Sequence, residues 1–140
     1  MAANITKSAW KVIPVFQCTS ISRTVQFYTE ILGFELGSVK PEDESSELTF
    51  CSVFMGKKAD ANFYFSNVSV EQFKASGAMI ALGTQELDEY YQYLKGREEV
   101  TITEDIEDMP WGFRQFTIRD HDGNRLTFFK FLEGGNPGEE

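Results

Sequence analysis

The chain's only histidine, His121, lies in the segment DHDG between two runs of aromatic and β-branched residues. An imidazole titrates near neutral pH and is the side chain most often used for general acid–base chemistry. Polar turns, however, select their residues for backbone reasons. We therefore predict an exposed turn histidine beside the functional site, held in its protonated form by the charges of Asp120 and Asp122.

Acidic residues are the other reactive groups that stand out in the composition. The chain has 22 Asp and Glu against 13 Lys and Arg, which gives a net charge of -9. Many of the acids gather in residues 42–47 and 104–108, and such runs are typical of solvated loops. The alternative is that their field attracts cationic ligands. Either interpretation excludes a nucleic-acid partner, because phosphate binding needs a basic face.

The two cysteines, Cys18 and Cys51, are not arranged as a CxxC pair. No apolar run is long enough to span a membrane, and residues 1–8 lack the apolar core of a signal peptide. The sequence therefore predicts a soluble cytoplasmic protein with reduced thiols and no membrane partner.

The hydrophobic pattern of the first half predicts a βαβββ order. Residues 11–18 form a strand, and Ser20 caps a helix that ends at Gly33. Three more strands follow over residues 34–39, 47–55 and 62–66, with an acidic loop and the turn GKKAD between them.

The second half repeats this order. It contains a strand over 78–83, a helix over 85–95, a short strand over 100–103, the acidic loop EDIEDMP and the two strands that flank DHDG. Ile13 and Met79 are 66 residues apart, and Phe63 and Phe129 keep the same offset. One helix covers only one face of a four-stranded sheet, so the second module, a partner chain or a ligand must cover the other.

These patterns set the expected domain boundaries. We expect an N-terminal extension over 1–9, a first module over 10–67, a linker over 68–76, a second module over 77–132 and a disordered tail over 133–140.

Three segments occur in a recognisable order at the repeat spacing: VIPVFQCTSISRTVQFYTEILGF, IALGTQELDEYYQYL and PWGFRQFTIRDHDGNRLTFF. With them the chain resembles, over residues 10–132, the vicinal oxygen chelate superfamily of glyoxalase I, extradiol dioxygenases and bleomycin-resistance proteins. The resemblance implies an α+β fold of two βαβββ modules that form curved, U-shaped mixed sheets with the helices on the convex side. It also implies a homodimer with pockets on the concave faces.

Metal-dependent members of that superfamily hold a divalent ion with His and Glu side chains from four strands. The resemblance places these positions at Ile13, near Ala61, at Met79 and at Thr127. Ile and Ala offer no donor atom, Met suits only soft metals, and a Thr hydroxyl is a weak ligand. We therefore predict no metal site and no cofactor.

The predicted ligand pocket follows from strand alternation, with Thr127 marking the concave face of the last strand. By the same alternation Arg114 faces the helix. Aromatic walls with a few polar groups are typical of ligand sites, although any single Phe could instead be core. The candidates for ligand binding are Gln17, Phe63, Phe65, Met79, Trp111, Phe113, Gln115, Thr127 and Phe129.

Three functions are consistent with the predicted fold and pocket. The first is a metal-free protein of the bleomycin-resistance type that binds a flat or aromatic ligand, cationic ones included, and is not an enzyme. The second is a metal-independent isomerase, cyclase or lyase on the same scaffold, which would need a titratable group in the pocket. The third, a metal-dependent lyase or dioxygenase, is disfavoured by the donor set.

Overall fold

Two four-stranded mixed sheets, each with helical segments, make up the computed structural model, which describes residues 2–43, 47–83 and 86–134. This confirms the predicted α+β class of two βαβββ units. The first unit, called the first module, contains β1 (Val15–Cys18), α2 (Ile21–Gln26), β2 (Glu35–Lys40), β3 (Phe50–Met55) and β4 (Ala61–Asn67). The second module contains β5 (Gly77–Ala81), α3 (Leu87–Lys95), β6 (Thr101–Asp108), β7 (Phe113–Arg119) and β8 (Arg125–Phe131). A short helix, α1 (Ala2–Thr6), precedes both.

The two sheets have the same topology. Their strand orders are β1-β4-β3-β2 and β5-β8-β7-β6. The first and last strands of each module pair in parallel, and the remaining pairs are antiparallel. The predicted internal repeat is therefore present in the fold.

The helix of the first module begins where the sequence predicts. The Ser20 hydroxyl accepts a hydrogen bond from the Arg23 N–H at 3.3 Å, which caps the first turn. After α2 the chain continues through one wider turn, Phe27–Ile31, and Gly33 ends it with a φ of +85°. Ile21 and Tyr28 are buried against the sheet, as their helical spacing predicts.

The helix of the second module packs in the same way. Leu87, Tyr91 and Leu94 are buried, and the Tyr91 ring lies 5.1 Å from that of Phe116 in β7. The predicted start of this helix at residue 85 lies outside the described residues. Burial of one helical stripe leaves the opposite face of each sheet without a helix.

The acidic segment 104–108 is a strand, so the predicted loop EDIEDMP is wrong up to Asp108. β6 pairs with β7 over Thr101–Asp108, and its partly buried Ile102 and Ile106 pack against the core. The strand lies at the edge of its sheet, where carboxylates stay in solvent and protect the free edge from unwanted pairing.

β1 is shorter than predicted because Pro14 cannot donate to the ladder. The strand begins at Val15, and the Pro14 carbonyl accepts the first inter-strand hydrogen bond from the Tyr64 N–H at 3.0 Å.

The DHDG turn joins the two modules through the buried carboxylate of Asp120. Its Oδ1 accepts from the N–H groups of Asp122, Gly123 and Asn124 at 2.9 Å each. Its Oδ2 accepts from the Tyr28 hydroxyl at 2.8 Å, in the helical segment of the other module. One carboxylate thus fixes both the turn and its position against the first module.

Three more polar contacts support this junction. The Asn124 amide donates to the Gln17 carbonyl oxygen at 2.9 Å. The carboxylate of Asp122 accepts from the Thr19 hydroxyl at 2.7 Å and from the Thr19 N–H at 3.0 Å.

Two sequence expectations fall partly outside the described residues. The predicted tail is described only as far as residue 134, and the acidic loop after β2 lacks residues 44–46. Among the helices of the described residues, none is long and apolar enough to cross a membrane.

Removal of the Tyr28 hydroxyl should destabilise the fold, because it takes one donor from a buried carboxylate. We expect Tyr28→Phe to lower the free energy of unfolding by about 1–2 kcal/mol in urea denaturation. Tyr64→Phe is the matched control, since the Tyr64 hydroxyl has no hydrogen-bond partner in the described part of the chain, and it should change the stability by less than about 0.5 kcal/mol. Equal effects of the two substitutions would contradict the role assigned to Asp120.

Candidate functional site

The sheet face of the second module that points away from α3 carries most of the predicted site residues. Gln115 pairs with Phe129, and Thr117 pairs with Thr127. Cross-strand partners share a face, so these residues lie together, opposite the core residues. We call this surface the second-module open face; it comprises Met79, Ala81, Phe113, Gln115, Thr117, Thr127, Phe129 and Phe131.

Three phenylalanine rings form an aromatic cluster on that face. The rings of Phe113 and Phe129 stack with centroids 4.6 Å apart and planes inclined by 23°. Phe131 meets both edge-on, at 5.0 Å from Phe113 and 5.4 Å from Phe129. Phe131 remains 50% exposed, so the cluster presents an aromatic surface to solvent.

Polar groups border the aromatic cluster. The Trp111 indole, 57% exposed, donates from Nε1 to the Oε1 of Gln115 at 3.2 Å. The hydroxyls of Thr117 and Thr127 are 2.7 Å apart, and Met79 lies beside Thr127 in the parallel pair. Of the nine predicted residues, the structure thus brings together Met79, Trp111, Phe113, Gln115, Thr127 and Phe129. Arg114 faces α3, as predicted, where it binds Asp88 at 2.7 Å.

Phe63 and Phe65 do not lie on the open face of their module, contrary to the prediction. Their rings pack against Phe16 in the core, at 5.3 and 5.7 Å, and they are 2% and 0% exposed. Phe63 lies 66 positions before Phe129, and this even offset predicts that the two residues face the same way. In the structure Phe65 instead faces its helix as Phe128 does, and the offset between these two positions is odd.

The residues that alternate with those phenylalanines along β4, and the cross-strand partners of these alternate residues, occupy the open face of the first module. Tyr64 lies there, with its ring 5.0 Å from that of Phe50, and the Phe54–Asn62 pair follows on the same side. These aromatics were not among the predicted site residues. β4 carries Phe63, Tyr64 and Phe65 in succession, so alternation alone does not distinguish its two faces.

Gln17 points to the open side of β1 but is already engaged. Its side-chain Oε1 accepts from the Lys74 N–H at 2.9 Å, in the segment that connects the modules. Its amide N–H groups and the second lone pair of Oε1 are left for a ligand.

A cavity of about 370 Å³ lies between the modules, where β1 and β4 begin and β5 ends. Its wall includes Pro14, Ala61, Asn62 and Met79. The Oδ1 atom of Asn62 is buried without a hydrogen-bond partner in the described residues. Met79 therefore belongs to the second-module open face and also lines this cavity.

His121 is not the exposed turn residue that the sequence predicts. Its side chain is only 10% exposed and its ring packs 5.3 Å from that of Phe27. The Nε2 atom lies 3.0 Å from the hydroxyl of Thr24, which itself donates to the Ser20 carbonyl. Nε2 also lies 3.3 Å from the Asp122 carboxylate, so a proton on Nε2 satisfies both the hydroxyl and the carboxylate.

The predicted protonation of His121 is also wrong in direction. Burial lowers the pKa of the imidazole below its usual 6.5 and outweighs the nearby charges of Asp120 and Asp122, which raise it. The turn packs against the first module, and that tertiary contact removes the solvent that a charged imidazole needs.

Similarity to known proteins agrees with this fold. The family model described as the Glyoxalase/Bleomycin resistance protein/Dioxygenase superfamily matches residues 14–128, and the chain belongs to this superfamily. A bleomycin resistance protein of Geobacillus stearothermophilus is 27% identical over 129 residues, which cover 86% of this chain and 96% of that protein.

Solved structures show the same fold. TioX from Micromonospora sp. ML1 matches with a TM-score of 0.70 at 16% identity, over 89% of this chain and 100% of that one. The bleomycin-binding protein of Streptomyces verticillus, solved with copper(II)-bleomycin, matches with a TM-score of 0.60 at 19% identity, over 86% and 95% of the two chains.

The four positions at which metal-dependent members of the superfamily hold their ion do not fit a metal here. Met79 and Thr127 are neighbours, as expected, but the Thr127 hydroxyl is paired with that of Thr117. A thioether and a hydroxyl are poor ligands for hard or borderline divalent ions. Within the ranges the structure describes, no three His, Cys, Asp or Glu side chains are grouped so that they could hold a metal ion.

The single imidazole resonance of His121 tests this description of the turn. We expect an NMR titration midpoint below pH 6.5 and nitrogen shifts typical of the Nε2–H tautomer. The pKa of His121 is lower in the folded state than in the unfolded state. The contribution of the neutral His121 to stability is therefore present above about pH 6.5 and is lost as the pH falls towards the folded-state pKa. A midpoint above 6.5 would show that the flanking carboxylates dominate instead.

Proposed function

We propose that this chain is a metal-free small-molecule-binding protein that holds a flat or aromatic ligand against the second-module open face. The observation that carries the proposal is the cluster of Phe113, Phe129 and Phe131, in which Phe129 is buried and Phe131 leaves the cluster partly open to solvent. Exposed aromatic surface of this kind offers a stacking platform for planar ligands. The names of the bleomycin resistance relative and the bleomycin-binding structure support a small-molecule ligand.

The other groups of the face have complementary roles in this proposal. Trp111 covers one side of a ligand, and Gln115 and Thr127 offer hydrogen bonds to its polar atoms. Met79 contributes an adaptable apolar contact, being 53% exposed. Gln17 contributes through the part of its amide that the Lys74 N–H does not engage, and Phe63 and Phe65 are left out because they belong to the core.

We further propose a cytoplasmic homodimer in which a second copy covers part of these faces. Both modules have apolar side chains that are at least 50% exposed: Val15 in the first, and Met79, Trp111 and Phe131 in the second. A pocket between copies would combine the second-module open face with Tyr64 and Phe50 of the partner's first module.

A metal-independent enzyme on the same scaffold is the alternative proposal. General acid–base catalysis requires a titratable group that reaches the ligand. Glu104 and Glu107 are the carboxylates nearest the face, and both are exposed. Exposed carboxylates lack the desolvation that usually adapts such a group to catalysis, so binding is favoured.

Titration with metal-free bleomycin, followed by tryptophan fluorescence, tests ligand binding. The chain has two tryptophans, Trp10 and Trp111, so each Trp→Phe variant reports on one site. We expect Trp10→Phe to keep the ligand-dependent fluorescence change, and Trp111→Phe to lose it, with an affinity at least several-fold weaker because a large stacking surface is removed.

Calorimetry on the same two variants separates loss of binding from loss of signal. No heat and no fluorescence change at millimolar bleomycin in the unmodified protein would remove bleomycin as a ligand. A fluorescence change confined to Trp10 would place the binding site elsewhere on the chain.

A further inference from the structure

The four carboxylates of β6 are divided between the two sides of the sheet. Asp105 accepts from the Tyr91 hydroxyl at 2.9 Å, and Asp108 accepts from Arg114 at 2.9 Å, so both are engaged on the helix side. Glu104 pairs with Thr117 and Glu107 with Gln115. Because cross-strand partners share a face, these two glutamates lie on the second-module open face.

Two register shifts in β6 produce this division. Residues three positions apart point to opposite faces of a regular strand. The shifts between Ile102 and Glu104 and between Glu104 and Glu107 each insert an extra residue in β6, and the second of them brings Glu104 and Glu107 to the same side. Their partners are two residues apart, so the backbone positions of the two glutamates are about 7 Å apart along the strand direction.

Neither glutamate has a hydrogen-bond or ion-pair partner within the described ranges. Both are exposed, and Glu107 lies level with the Gln115–Phe129 pair, beside the aromatic cluster. The basic residues of the same face, Arg119 and Arg125, lie at the DHDG end of the strands and form no ion pair with either glutamate. The face therefore has negative charge beside its aromatic rings and positive charge at one end.

We propose that Glu104 and Glu107 give the site its specificity for aromatic ligands that carry an ammonium or amidinium group. In this arrangement the planar part of the ligand stacks on the solvent-exposed side of the aromatic cluster, beside Phe113 and Phe131. Its cationic group points towards β6, where Glu107 is the nearer carboxylate and Glu104 the second. The inference rests on the proposed function, since it assigns the charge preference of the same face.

Acridine and 9-aminoacridine are matched probes for this preference, because at pH 7.5 both are planar and only the second is cationic. We expect the unmodified protein to bind 9-aminoacridine about ten-fold more tightly than acridine in 50 mM NaCl. Replacing each glutamate by glutamine should weaken 9-aminoacridine binding by about three- to five-fold, the range expected for a solvent-exposed charge pair. Acridine binding should not change.

A double variant with the same loss of charge elsewhere is the control. Glu89→Gln with Glu98→Gln removes two exposed carboxylates, one on α3 and one in the segment after it. We expect this control to keep the preference for 9-aminoacridine, and Glu104→Gln with Glu107→Gln to lose most of it together with its salt dependence.

The outcomes separate this inference from the proposed function. If the Glu104 and Glu107 double variant keeps the full preference, or if the control loses it equally, the two glutamates do not set specificity, although the face still binds aromatic ligands. If the unmodified protein binds neither acridine nor 9-aminoacridine, the proposed binding face and this inference both fail.

Discussion

Each module has one helical segment to cover a four-stranded sheet, so only one of the two sheet faces can be buried under a helix. This constraint determines which residues form the core and which form the open surface. A helix buries one sheet face, so the alternate residues of every strand must be divided between a core and an open surface. In β8 the division is clear: Leu126 and Phe128 are fully buried under α3, while Thr127 and Phe131 are on the other side. The proposed binding surface is the part of the sheet that the helix cannot reach.

Polar contacts at the DHDG turn contribute to the junction between the modules. Asp120 is 4% exposed, and five donor groups satisfy its carboxylate, including the Tyr28 hydroxyl of the first module. A buried carboxylate with that many donors is specific in geometry, because its loss of solvation is compensated only in one arrangement. The turn that pairs β7 with β8 thus also fixes the second module against the first, and it buries His121 as a consequence.

The sequence predicts the fold well, because its signals are local and repeated. Ser20 and Gly33 mark the limits of the first helix, and the alternation of Thr127 and Phe128 gives the correct faces of β8. The same reasoning fails where the pattern is ambiguous. Three consecutive aromatics in β4 carry no alternation, so Phe63 and Phe65 were given the wrong face.

Two other features depend on tertiary contacts that no local pattern contains. The acids of β6 have low strand propensity, and only pairing with β7 makes the segment a strand. Its register shifts, which place Glu104 and Glu107 on one face, leave no signature in the composition. The burial of His121 follows from packing against Phe27, a residue of the other module.

The most direct measurement of the binding face uses methionine methyl groups as reporters. Met79 lies on the second-module open face, whereas Met55 is partly buried against the core of the first module. With 13C-methyl-labelled methionine and saturating metal-free bleomycin, we expect the Met79 resonance to shift under the ring currents of the stacked ligand while that of Met55 stays in place. A shift at Met55 with Met79 unchanged, or no shift at any methionine at millimolar ligand, would contradict the assignment of this face as the binding site.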